Sequence, residues 1–400
     1  MGKFIVRHAY AHEFARIGDL VLSTFFGQGT PVYERELRFW TLTLPGAPGF
    51  DYSAYRVGVL DNGAGEQIVA HAAVRPYTLR YGSVDLRIYG VGAVCTHPDY
   101  RQRGYAAAVL HDALAYMAEQ GAHLALLNGV RGYYGRFGFN PVWPDYVFSI
   151  DAAEAARLPQ TLSLRPAALV DAPALAALYH QHWGARVAFT RSADLWRWRL
   201  GEQRRDMLLV AEDAGQIAGY VRASEQNALL TEVVANSGDA ALTLLADAGA
   251  RYQRAGIARV EWLLPPDDAL VYYARLALPV TVSAAYSPDG GWMARLIHSE
   301  ALVRALLPEI AAQAHSTMPE FDPAALQFVC QPDGVQIGLD GQPETFAQLN
   351  HQDFIQVLFG SLRPAALALR PDSGLRRAAV RLLEALFPPR MAALAPWDWF

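Results

Sequence analysis

Arg101-Gln102-Arg103-Gly104-Tyr105-Ala106 follows the apolar run Gly90-Val91-Gly92-Ala93-Val94-Cys95 and opens a stretch whose spacing predicts a helix over residues 107–120. A strand that passes through an Arg/Gly turn into a helix is a seat for a pyrophosphate. The first helical turn has N–H groups without intrahelical partners and carries the positive end of the helix dipole. Gly104 lets the main chain approach phosphate oxygens where a β-carbon would collide, and Arg101 and Arg103 add charge at the rim. In the helix, Val109, Leu110, Ala113, Leu114 and Met117 share one face, the pattern of a helix lying on a sheet. The hexamer alone also describes any helix that starts at an arginine-rich turn, so its surroundings decide the reading.

Four hundred residues with 52% apolar content and ordinary charge density suit two or three globular domains with substantial cores. No apolar run approaches the length of a membrane span, and Met1-Gly2-Lys3-Phe4-Ile5-Val6 lacks a signal-peptide layout. Val6 stands where a myristoylation motif needs Ser or Thr, so the expectation is a cytoplasmic protein with no membrane partner. Cys95 and Cys330 are too few and too far apart for a metal cluster or a disulfide framework. His180 and His182, two residues apart, point to different helix faces, so no metal is expected. A net charge of −5 argues against a general nucleic-acid surface and is compatible with cationic amine substrates. Lys3 is the only lysine, which leaves no buried lysine for Schiff-base chemistry.

The chain repeats itself. Phe4-Ile5-Val6-Arg7-His8-Ala9 and Leu162-Ser163-Leu164-Arg165-Pro166-Ala167 both read as a strand leading into a helix, related by a shift of 158 residues that also carries Trp40 onto Trp198. Tyr133-Tyr134-Gly135-Arg136-Phe137 recurs as Tyr272-Tyr273-Ala274-Arg275-Leu276. The first copy reads as a strand (4–8), helices (12–26 and 32–44), strands (54–60, 67–80 and 84–96), the motif helix, a strand (122–127), a short helix (131–137) and a final strand (140–150). That is an α+β unit around a mostly antiparallel sheet. In the second copy Ala235-Asn236-Ser237-Gly238 replaces the Arg-x-x-Gly-x-Ala turn, so a working phosphate cradle is not expected there. Pro288-Asp289-Gly290-Gly291 marks a further boundary, followed by a small α/β region. The division is 1–155, 156–290 and 291–400.

The strand, the Arg101–Ala106 turn, the motif helix and Tyr134-Gly135-Arg136-Phe137-Gly138 together resemble the GNAT superfamily of acyl-CoA-dependent N-acetyltransferases. Two tandem GNAT units followed by a sterol-carrier-protein-like domain ending in phenylalanine more closely resemble the Eis (enhanced intracellular survival) acetyltransferases. The likeness spans the chain, is closest at residues 96–106 and 133–138, and is loosest across the second copy. It implies acetyl-CoA as donor, main-chain pairing of Val94 and Thr96 with the pantetheine arm, and a pyrophosphate held by Arg101, Gln102, Arg103, Gly104, Tyr105 and Ala106. It implies Tyr134 as general acid, the α-carboxylate of Phe400 as general base, and a hexamer built from trimers. Gly129 stands where better-known members have an acyl-CoA-contacting serine, so that contact is lost or moved to Asn128.

Acetyl transfer from a thioester to an amine needs a neutral amine, donors for a developing oxyanion and a proton for the leaving thiolate. A strand N–H near Val94 to Thr96 suits the second need. The Tyr134 hydroxyl, with a reference pKa near 10, suits the third. Burial of Phe400 among Trp397 and Trp399 would raise a terminal carboxylate toward the range of a useful base. Asp398, or Glu34 or Glu36, is a candidate for attracting the cationic acceptor. Phe25, Phe26, Phe39 and Trp40 are candidates to line its pocket, although helix-spaced aromatics more often form core. Gly63-Ala64-Gly65 is a hairpin turn, since no helix follows it. The expectation is an acetyl-CoA-dependent transferase acting on a primary amine: a small cationic or aminoglycoside-like molecule, or an exposed lysine. The rival reading is a non-enzymatic protein that holds an apolar ligand in its third domain.

Overall fold

The first strand, β1 (Lys3–His8), leads through α1 (Phe14–Phe25) and α2 (Pro31–Arg38) into an antiparallel series β2 (Tyr55–Asp61), β3 (Glu66–Tyr81) and β4 (Val84–Thr96). The computed structural model describes residues 3–61, 63, 65–201, 206–224, 229–318, 320 and 322–395. Pro31 at the first helical position and the Thr30 side chain, which accepts from Tyr33 N, set the start of α2. The helix expected over 32–44 is regular only to Arg38, and then widens into a π-helical turn at Phe39–Thr43. α3 (Tyr105–Glu119) crosses to β5 (Leu124–Gly129), parallel to β4. It buries Val109, Leu110, Ala113, Leu114 and Met117, the face read from the sequence.

The strand expected over 140–150 is two strands, β6 (Asn140–Trp143) and β7 (Asp145–Asp151). Pro144 between them has no N–H to give a ladder, so the chain leaves one sheet there and enters another. After α4 (Ala152–Ala155) come β8 (Ser163–Pro166), α5 (Ala172–Trp183), β9 (Val187–Phe189), α6 (Ala193–Gly201), β10 (Asp206–Asp213), β11 (Gln216–Ser224), β12 (Leu229–Ala235), α7 (Gly238–Arg254), β13 (Arg259–Leu263), α8 (Ala269–Ala277) and β14 (Thr281–Ala285). β15 (Gly291–Leu296) follows.

The two large sheets share one plan. The first runs β1-β2-β3-β4-β5-β15-β6 and the second β8-β10-β11-β12-β13-β7-β14. Each takes its sixth strand from beyond the other: β15 pairs along β5 from Gly291↔Gly129 to Leu296↔Leu124, and β7 lies between β13 and β14. Sheet membership therefore crosses the divisions at 155/156 and 290/291.

The remainder comprises α9 (Ser299–Thr317), an antiparallel sheet of β16 (Leu326–Gln331), β17 (Gly334–Leu339) and β18 (Gln342–Asn350), then α10 (His351–Leu358), α11 (Pro364–Leu367), α12 (Arg377–Leu386) and β19 (Ala392–Ala393). β18 was not expected, because its opening Gln342-Pro343-Glu344 masks the alternation by which Thr345, Ala347 and Leu349 turn inward. This region shares its core with the first sheet: Leu79, Ile88, Leu124 and Leu126 pack with Leu302, Leu306, Phe354, Leu358 and Leu383. The β3–β4 turn is pinned to it. Tyr81 Oη donates to the Leu358 carbonyl at 2.7 Å, and the Glu309 carboxylate accepts from Ser83 N at 2.7 Å, from Ser83 Oγ at 2.6 Å and from Arg390. Burial opposes ionisation of Glu309, but the Ser83 donors and Arg390 outweigh it and hold the carboxyl below its ordinary range. β19 runs parallel to β9, which pairs with Leu79 and Arg80 of β3, so all three regions meet there. Among the described residues no helix is long and apolar enough to cross a membrane.

Candidate active site

β4 and β5 are paired only from Ile88↔Leu124 to Gly90↔Leu126. Beyond that point β4 continues to Thr96 and β5 to Gly129 without bonding to each other, so the sheet opens into a wedge. The β4 edge on this side, which includes Val94 and Thr96, offers main-chain donors and acceptors to anything extended that enters. The wedge is shaped by a bulge. Register slips between His71 and Ala73 of β3, and Ala93 sits at a φ of +51°, a left-handed conformation unfavourable for a residue with a β-carbon.

His71 holds that bulge. Its Nδ1 lies 2.9 Å from the Ala93 carbonyl, which can only accept, so Nδ1 carries the proton. The ring is fully buried, and burial pushes its pKa down to about 4, with the Ala93 bond opposing. It is therefore neutral at pH 7, and its Nε2 has no partner among the described residues. Trp40 and Tyr55 flank it, centred 5.9 and 6.0 Å from the imidazole, and Phe14 packs against both of these rings. Trp40 thus stands in a packed aromatic cluster. Phe25 and Phe26 are exposed at the end of α1, whose Thr24 neighbours Cys95 on β4. Sequence reading missed His71, whose only signal was a single imidazole between alanines in the otherwise apolar run from Ile68 to Val74.

The β4–α3 connection is a cradle. Gly104, at φ +79°, precedes α3, and no side chain caps the helix. The amides of Gln102 and of Gly104 to Ala107 find no acceptor among the described residues, and a β-carbon at Gly104 would meet open space. Gln102 also has positive φ, at +62°, which turns successive amides toward one side. Arg101 and Arg103 are exposed, and each reaches back to the loop: Arg101 Nε lies 3.5 Å from Thr96 O, and Arg103 Nη2 lies 3.4 Å from Asp99 O. Tyr105 stacks on Phe4 at 4.1 Å, fixing the first turn of α3 against β1. These groups fit a diphosphate: donors without acceptors, cationic rims and no β-carbon at the turn.

The second sheet has the same wedge, since β12 and β13 pair only at Leu229↔Glu261 and Leu230↔Trp262, but its helix start is closed. The Ser237 side chain accepts from Ala240 N, and the Tyr273 ring lies over Gly238, 3.0 Å from where a β-carbon would be. An amide already bonded to a hydroxyl is not free for phosphate.

Tyr134 stands at the far side of the first wedge. Its ring lies on Gly129, where a β-carbon would fall 2.5 Å from Tyr134 Cδ2, so Gly129 is bare because the tyrosine fills the space a serine would need. Burial, then the neighbouring Tyr133, push the Tyr134 hydroxyl up to about 12, so it is protonated throughout the neutral range. Asn128 is exposed at the end of β5. Asp398 and Phe400 lie outside the described residues. Among the described residues no cluster of His, Cys, Asp and Glu is placed to hold a metal.

Residues 7–142 match the family model described as an acetyltransferase (GNAT) domain. Solved structures of the same fold include the GCN5-related N-acetyltransferases of Kribbella flavida (19% identity, TM-score 0.70) and Anabaena variabilis (16%, 0.68). Eis1 of Mycobacterium abscessus is also similar (17%, 0.60), and in all three cases 100% of each chain is covered. No curated protein matches the sequence.

Proposed function

We propose that the acetyltransferase domain at residues 7–142 moves an acetyl group from acetyl-CoA to a primary amine, and that it works within a chain of Eis-like plan. In this reading 1–155 is the catalytic GNAT unit, 156–290 a degenerate second unit and 291–400 a sterol-carrier-like domain. The protein works in the cytoplasm, and the assembly is a hexamer built from two trimers. One observation carries the proposal: an unpaired strand edge leads straight into an uncapped helix start, with a protonated tyrosine across the gap.

Bound acetyl-CoA supplies the acetyl group as a thioester. Backbone amides from Gln102 to Ala107 would hold its diphosphate, with Arg101 and Arg103 at the rim, and the Val94 and Thr96 main chain would pair with its pantetheine amides. The bulge at Ala93 aims a β4 amide into the wedge as donor for the carbonyl oxygen, and His71 keeps that bulge in place. Tyr134 Oη gives its proton to the departing sulfur. The terminal carboxylate of Phe400 takes a proton from the acceptor's ammonium, and the neutral amine so formed attacks the thioester carbonyl. Asn128 stands in for the contact that Gly129 does not make, and Phe25, Phe26 and Trp40 border the acceptor side, with Asp398 attracting its charge.

Thiol release from acetyl-CoA with a panel of amines tests the class directly. Tyr134→Phe and a one-residue extension after Phe400 should each reduce turnover by roughly 10²-fold or more. Intact turnover in both would sink the mechanism while leaving the reaction class standing.

A further inference from the structure

A cavity of about 70 Å³ lies in the mouth of the second sheet's wedge. Glu232 of β12 and Leu263 and Leu264 at the end of β13 border it, just past Leu230↔Trp262, the last pair of those strands. Helix α5 lends it Tyr179 and Trp183, and the crossover from β6 to β7 lends Trp143 and Tyr146. The chain from Met391 to Ala395 lies across it, held where β19 pairs with β9. Trp292 supplies the remaining side. Its side chain joins the core shared with the third region, whereas Met293 beside it packs with Leu127 and Phe139 against Tyr134. The cavity and the proposed acetyl-transfer site therefore lie on opposite faces of the first sheet and are separate places in the molecule.

The wall has a one-sided chemistry. Five of its sixteen residues are aromatic and two are acids, Asp145 and Glu232, while none is Lys, Arg or His. Glu232 is spent internally: Arg191 forks onto it at 2.5 and 2.8 Å, and Tyr220 Oη donates to it. Asp145 has no cationic partner among the described residues. Burial raises its carboxyl above the ordinary range, opposed by an N–H donated from Trp292, and a cation beside it would oppose burial further.

Indole and phenol rings attract a cation through their π faces and gain by covering apolar surface. A bare ammonium would bring several N–H donors out of water to meet one available carboxylate, and each donor left unpaired is costly. Methyl groups in place of those hydrogens keep the charge and need no acceptor. The size agrees, since the cavity is about half the roughly 150 Å³ that holds a benzene ring, enough for a nitrogen with about three or four methyl groups.

We propose that this cavity is a binding site for a methylated ammonium ion, with the rings around its methyl groups and Asp145 as its counter-ion. The site does not depend on the acetyl-transfer reading and would stand if coenzyme A did not bind.

The test titrates the full chain by calorimetry, at constant ionic strength, with tetramethylammonium, with ammonium, and with tert-butanol as a neutral body of similar size. We expect tetramethylammonium to bind at one site per chain, at least tenfold more tightly than either of the others, and to shift the Trp292 indole N–H resonance. Asp145→Asn keeps the shape and still accepts from Trp292, so the unfolding transition should stay in place while tetramethylammonium affinity falls at least tenfold. Tyr146→Leu, at a half-buried position, removes a ring without touching the acid and should weaken tetramethylammonium at least threefold but not tert-butanol. Equal binding of tert-butanol would make the cavity a plain apolar void, and equal binding of ammonium a general cation site; either overturns the inference. So does the absence of both binding heat and an indole shift with tetramethylammonium, or an affinity that Asp145→Asn leaves unaltered.

Discussion

At the scale of single residues, Tyr134 and His71 are both driven toward their neutral forms by burial, and each makes a different prediction. A general acid is useful only while protonated. With the Tyr134 hydroxyl pushed up to about 12, kcat/KM should rise with pH as the amine loses its proton and should show no tyrosine-linked decline through pH 10. A decline centred near 10 in a pH–rate profile would contradict the environment described. His71 acts on stability. Its pKa falls from 6.5 unfolded to about 4 folded, so between those values the unfolded chain binds more protons, and stability drops as pH falls through the window, by about 3 kcal/mol in all. Urea titrations at several pH values should show that slope, and His71→Asn, whose amide can still donate to Ala93 O, should flatten it with most turnover kept. His71→Leu should lose turnover, because nothing would hold the bulge. Tyr134 was legible in the sequence because it sits in a motif with its cradle. His71 was not, since a hydrogen bond to a carbonyl 22 residues away is set by a register slip that no local pattern encodes.

Two helices in corresponding places, α3 and α7, show how little separates a cradle from a capped end. Gly104 leaves the first turn of α3 open, while Ser237 closes that of α7. The chain should therefore bind one coenzyme A, and calorimetry should return a stoichiometry near one per chain, with two being incompatible with a hydroxyl-capped α7. Gly104→Ala would force alanine into φ +79°, costing about 1–2 kcal/mol, and would place a methyl group in the open space above the turn. Coenzyme A affinity should fall at least tenfold while the helix content by circular dichroism stays constant. This contrast was readable in advance from Arg-x-x-Gly-x-Ala against Ala-Asn-Ser-Gly. The buried face of α3 was equally plain from its period. The division of residues 140–150 was not, although Pro144 was its signal: a proline inside a strand pattern reports that the ladder is interrupted there, without saying that the two parts belong to different sheets.

Across the whole molecule, the exchange of β7 and β15 explains why a repeat that is easy to see in the sequence does not yield separable modules. Local pattern identifies each strand, but nothing in Trp292-Met293-Ala294 says that it closes the sheet begun at Lys3. A fragment of residues 1–155 would expose the β5 edge and lose the buried side chains of Trp292, Met293 and Ala294, so it should be insoluble or unfolded by heteronuclear NMR. The full chain should melt as one transition, and independent unfolding of 1–155 would argue against the exchanged arrangement. The same wiring bears on synthesis. Residue 129 leaves the ribosome some 160 residues ahead of its partner at 291. At roughly 5–20 residues per second that is a delay on the order of ten to thirty seconds, during which the nascent chain holds an unfinished, sticky edge that invites shielding by chaperones.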